Sequence, residues 1–84
     1  MAFNRGVFHF HRGEPSRAAA EFARAIVESG GVFYEIYNNL GSALAAAGRP
    51  DEASACYRLY LEELPFYRRE ARRLARERLE RGRP

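Results

Sequence analysis

The chain has 84 residues, 46% of them hydrophobic and 30% charged, with a formal net charge of +3. A chain of this length holds one small domain, its hydrophobic share argues against disorder, and it lacks the run of about 18 apolar residues that a membrane-spanning helix needs. The opening Met-Ala-Phe-Asn-Arg has no apolar signal-peptide core, so a cytoplasmic location is expected, and the single cysteine, Cys56, has no partner for an internal disulfide.

All fourteen basic residues are arginine, a bias that fits a G+C-rich bacterial genome. Residues 1–64 hold six arginines against eight acids, whereas residues 65–84 hold eight arginines against three glutamates, a net +5. The positive charge therefore belongs to the C-terminal stretch.

Residues 2–12 alternate at first sight like a strand. An internal repeat argues otherwise: Gly6, Gly13, Pro15, Ala18, Ala20 and Phe22 recur thirty-five residues later as Gly41, Gly48, Pro50, Ala53, Ala55 and Tyr57. The repeat makes 2–12 a helix equivalent to 33–47, and 15–29 a helix equivalent to 50–64. Arg5 stands where Leu40 does and His9 where Leu44 does, as an end repeat without an upstream neighbour allows. The second helix opens at Pro15 and buries Ala18, Ala19, Phe22, Ala25 and Ile26. It ends at Glu28-Ser29-Gly30-Gly31, whose glycine pair supplies positive φ for a turn.

In the second copy, Ile36, Tyr37, Leu40, Leu44 and Ala47 form one apolar stripe at helical spacing, and Ala53, Ser54, Tyr57, Tyr60, Leu61 and Leu64 form another. Gly48 is the left-handed residue past a helix end, Pro50 suits the first helical position, and Asp51 and Glu52 complement the helix dipole. A mid-helix glycine costs about 1 kcal/mol against alanine, so Gly41 implies close packing. Gly41 and Ala53 are expected to bring the backbones together while Tyr57 fills a wider gap. Pro65 suits the start of a fifth helix with an inner stripe of Tyr67, Ala71, Leu74, Arg78 and Leu79, arginines outside, and Glu77 and Arg81 paired four apart.

The set Tyr37, Leu40-Gly41, Leu44, Ala53, Tyr57 and Pro65 resembles the tetratricopeptide repeat. Tyr60 departs from that pattern, which usually has a small residue there. The resemblance implies an all-α fold of five helices, antiparallel hairpins stacked as a short α-solenoid. It divides a single domain, 1–84, into repeats over about 2–31 and 32–65 and a closing helix over about 66–81. It also implies a non-enzymatic scaffold that binds a protein or peptide in a concave groove. Carried over by position, the groove residues are Phe3, Asn4, Val7, Phe10, His11, Asn38, Asn39, Ser42 and Ala45. Asparagine suits the task because one amide both donates to and accepts from a peptide backbone. The family's carboxylate-clamping lysines are absent, and the apolar Phe3, Val7 and Phe10 point to a hydrophobic partner, a second copy of the chain included.

A different class of function rests on charge. Arg68, Arg69, Arg72, Arg73 and Arg76 suit the phosphates of nucleic acid or an anionic membrane surface, although Glu70, Glu77 and Glu80 dilute them. No metal or cofactor is expected: on a helix His9 and His11 point to nearly opposite sides, and no nucleophile–base set or phosphate loop is readable.

Overall fold

Five α-helices run through the residues described in the computed structural model, 1–81: α1 (Ala2–His11), α2 (Pro15–Ser29), α3 (Glu35–Ala46), α4 (Pro50–Glu63) and α5 (Arg69–Arg81). Arg83, counted in the basic tail, lies outside these residues. Each helix packs on the next in chain order: α1 with α2 and α3 with α4 form two hairpins, α2 with α3 joins them, and α5 lies against α4. The fold is the all-α, five-helix arrangement expected, and the alternating residues near the start lie on a helix rather than a strand. No helix among the described residues is long and apolar enough to cross a membrane.

The two hairpins turn in the same way. The Arg49 N–H donates to the Leu44 carbonyl at 2.9 Å and the Gly48 N–H to the Ala45 carbonyl at 3.1 Å; in the first copy Glu14 donates to His9 at 2.9 Å and Gly13 to Phe10 at 3.1 Å. This pairing satisfies the last carbonyls of a helix when the residue between is left-handed, and Gly48 (φ 77°) and Gly13 (φ 74°) supply that conformation. Pro50 and Pro15 then open α4 and α2, where a missing N–H costs nothing.

The end of α4 is built differently. Pro65 bars the residue before it from helical backbone, so Leu64 is extended at φ −71°, ψ 128°. With no glycine there, Arg72 reaches back from α5, its Nη1 donating to the carbonyls of Leu61 at 3.0 Å and Leu64 at 3.2 Å. Pro65 does not start the fifth helix: a turn closed by the Arg68 N–H on the Pro65 carbonyl at 3.0 Å intervenes, and α5 begins at Arg69.

Inside each hairpin an aromatic ring sits on a glycine. A β-carbon added to Gly41 would lie 2.6 Å from Tyr57 Cε1, and one added to Gly6 would lie 2.7 Å from Phe22 Cδ1. The separate gap expected for Tyr57 does not exist, because its ring occupies the space that the missing side chain of Gly41 leaves. Around these rings Ala18, Ala19, Ala25, Ile36, Ala43, Leu44 and Ala53 make one core through both hairpins. Cys56 belongs to it, and burial, then the nearby Glu52 carboxylate, pushes its thiol up and away from the reactive thiolate.

A second cluster joins α4 to α5. Tyr60, Leu64 and Ala75 are buried there, with Tyr34, Tyr37, Leu61 and Ala71 packed around them. Tyr60 fits although a small residue is usual at its position, because the facing helix supplies the small residues, Ala71 and Ala75. The inner row of α5 is thus Ala71, Ala75 and Leu79 at four-residue steps. The stripe expected from the sequence is corrected at two places. Tyr67 is 69% exposed because it lies in the turn before the helix, and Leu74 is 40% exposed because it flanks the alanine row.

The polar departures of α1 are partnered. Arg5 Nε pairs with the Glu21 carboxylate, and His9 Nδ1 lies 3.0 Å from Glu14 Oε1. Glu21 and Glu14 stand where the second hairpin has Cys56 and Arg49, and Arg5 and His9 where it has Leu40 and Leu44, so these two ionic pairs belong to the first copy alone. The bond to Arg5 holds the Glu21 carboxyl below its ordinary value of 4.5, and the bond to His9 does the same for Glu14, helped by Arg12 and Arg17. A carboxyl depressed in the folded state stabilises above its unfolded pKa, and that contribution goes as pH falls through the folded value. Stability is therefore expected to decline as pH drops below about 4.5. In a Glu14→Gln/Glu21→Gln variant the urea midpoint should lie below wild type at pH 7 and meet it in strong acid. Equal midpoints at neutral pH would show that these pairs contribute nothing.

Candidate functional site

The Gly30–Gly31 turn, with φ of 67° and 77°, sends the chain from the end of α2 into α3. Where it does so the first turns of α1 and α3 meet the last turn of α2, and a hollow of about 460 Å³ opens between them. Its floor is apolar and buried, from Ala25 and Ile36. Phe3 forms one wall, braced by the Phe22 ring at 5.8 Å between centroids, and Phe33 stands at the mouth with 64% of its surface exposed. Asn4 and Asn39 supply amides, and Glu28 and Glu35 supply carboxylates.

Of the residues expected in a groove, the hollow brings together Phe3, Asn4 and Asn39. Val7 is half-buried and packs against the core. Phe10 and His11 are exposed at the far end of α1, and Ala45 is exposed near the end of α3. The Ser42 hydroxyl accepts from Tyr57 at 3.4 Å. Asn38 is engaged within the chain: its Oδ1 accepts from Arg78 Nη1 at 2.6 Å, while that guanidinium lies 5.9 Å from the Tyr57 ring centroid. Asn38 and Arg78 thus tie α5 to α3, and Asn39 faces the hollow.

Phe33, Ile36, Glu28 and Glu35 were not legible as site residues. Ile36 reads as core, which it also is. Phe33 carries the one missed signal: with Val32 it follows two glycines as an apolar pair outside any helical stripe, and both are exposed.

One arginine of α5, Arg73, meets acids on its own helix. A second hollow of about 370 Å³ is lined by Phe66, Arg69, Arg72, Arg73 and Arg76 together with Glu77 and Glu80. Arg73 is shared between Glu77 at 3.0 Å and Glu70 at 3.5 Å, Arg72 is engaged on the α4 carbonyls, and Arg68, Arg69 and Arg76 are exposed. The face has both signs of charge, which weakens the field a polyanion would meet. At the other end of the molecule His9 turns to Glu14, while His11 is exposed.

A comparison with known families agrees with this architecture. A tetratricopeptide repeat model matches residues 12–68, which take in α2, α3 and α4. The match omits α1, the helix in which Arg5 and His9 replace the leucines of the second copy, and it omits α5. No curated protein and no solved structure matches the chain. The family match spans more than half of the residues and takes in the α3–α4 hairpin with its Gly41–Tyr57 contact: the chain belongs to the tetratricopeptide repeat family.

Proposed function

We propose that this chain is a non-enzymatic interaction module that holds a segment of a partner protein in the hollow between α1 and α3. Repeats of this family mediate contacts between proteins. The observation that carries the assignment to this place is the exposed Phe33 ring, which lines one hollow with Phe3, the apolar floor and two asparagines. Burying such a ring against a partner contributes about 1.5–3 kcal/mol, and the amides can fix a peptide backbone by donating and accepting at once. Val7, Phe10, His11, Ser42 and Ala45 extend the contact along α1 and α3, while Asn38 serves the closing helix. A single unbridged cysteine within the core is compatible with a reducing compartment, the cytoplasm.

A peptide array read by labelled protein tests this. Phe33→Ala should weaken the bound peptides about tenfold, in line with the loss of one buried ring, and Asn39→Ala should weaken them too. Arg58→Ala, exposed on α4, should leave them unchanged. Equal binding by all three variants would place the contact elsewhere.

A further inference from the structure

Resting on that assignment of the hollow, we propose that its occupant is a peptide segment with an apolar or aromatic anchor next to a cationic side chain. The floor and walls are apolar, and the charged side chains among the lining residues, Glu28 and Glu35, are both acidic. Both are exposed, and neither forms an ion pair among the described residues. Met1, which precedes α1, lines the same hollow.

Local structure accounts for only one of these acids. Glu35 lies in the first turn of α3, where it complements the positive end of the helix dipole. Glu28 lies near the end of α2, where the dipole is already negative and where the last turn has no basic residue. A carboxylate set against its own helix, lining the same apolar cavity as a second acid, gains a partner when a cation arrives with the anchor. Arginine or lysine beside phenylalanine, leucine or tyrosine meets both demands: the anchor fills the space next to Phe33, and the cation reaches the acidic rim. An acidic or phosphorylated segment would face repulsion at the same rim. The turn and helix start Phe66-Tyr67-Arg68-Arg69 has the same chemistry and is exposed, so a second copy is the natural competitor for the hollow.

The experiment uses the full chain and three labelled peptides that share one phenylalanine anchor, flanked by arginine, glutamine or glutamate, measured by fluorescence polarisation at low salt. The arginine peptide should bind about tenfold tighter than the glutamine peptide, which is the scale of two exposed ion pairs, and the glutamate peptide weakest. A Glu28→Gln/Glu35→Gln variant with unchanged circular dichroism should lose that ranking yet keep its affinity for the glutamine peptide. Molar salt should also erase the ranking, because the screening length then falls to about 3 Å. Equal binding of all three peptides by wild type overturns the charge preference and leaves the hollow as an apolar site. No binding by any of them overturns the site itself. Sedimentation showing self-association that Phe33→Ala and Arg68→Gln/Arg69→Gln each abolish would give the hollow to a second copy instead.

Discussion

Phe22→Ala is expected to remove about 3–5 kcal/mol of stability, the usual cost of truncating a fully buried aromatic ring. The whole chain, at about 0.05–0.15 kcal/mol per residue, has only about 4–12 kcal/mol to lose. Phe22 is 2% exposed, lies on Gly6 and braces Phe3. The site has little means of collapse: the glycine opposite has no side chain to lean in, and the alanines around it are too short. The loss should be uneven. Its ring joins α1 to α2, whereas α3, α4 and α5 are held by Tyr57 and by the Tyr60 cluster. Hydrogen exchange should therefore show α1 and α2 opening first, while amides of α3 and α4 keep more protection. Because Phe3 is a wall of the hollow, peptide affinity should fall with the same variant. Phe22→Leu, which keeps most of the volume, should cost less than about 2 kcal/mol. A destabilisation below about 1 kcal/mol for the alanine variant would mean that the ring is not the keystone of the first hairpin.

The hairpins were legible because their signals are local and occur twice. Gly48 and Pro50 fix one turn, Gly13 and Pro15 repeat it, and the backbone follows to within a few degrees, with φ, ψ of −121°, 67° at Arg49 and −116°, 67° at Glu14. The buried face of α2 was readable from spacing alone, and Ala18, Ala19, Phe22 and Ala25 are buried as expected. What escaped the sequence depends on contacts between distant segments. The start of α5 at Arg69 follows from the carbonyls that Leu64 leaves open and Arg72 fills, a partnership eight residues apart with no motif. Asn38 looked like a groove residue because it stands on the first helix of a hairpin, but Arg78, forty positions on, takes its amide oxygen. Glu28 and Glu35 belong to different helices, and only the Gly30–Gly31 turn brings them to one hollow.

Gly41→Leu is expected to destabilise by about 3 kcal/mol, the upper range for overpacking a core, although leucine is the better helix former by nearly 1 kcal/mol. The two effects oppose each other, and geometry decides between them. The first carbon alone would stand 2.6, 2.9 and 3.0 Å from three atoms of the Tyr57 ring, inside van der Waals contact, and leucine adds three more carbons in the same direction. The ring has no easy retreat. It is 5% exposed, its hydroxyl donates to Ser42 at 3.4 Å, and the Arg78 guanidinium lies over it at 5.9 Å. Relief must therefore come from α3 and α4 moving apart, which loosens Asn38–Arg78 and with it the seat of α5. Alanine at the same position adds only the first of these carbons and gains helix propensity, so Gly41→Ala should still destabilise, by about 1–2 kcal/mol, but less than leucine. A double-mutant cycle separates this clash from any loss of helix geometry. Tyr57→Ala alone should cost about 3–5 kcal/mol, but in the Gly41→Leu background far less, because the leucine fills the space that the ring vacates. Urea midpoints at unchanged m-value give the four stabilities directly. Additive losses, with no rescue in the double variant, would show that Gly41 is required for something other than room for Tyr57.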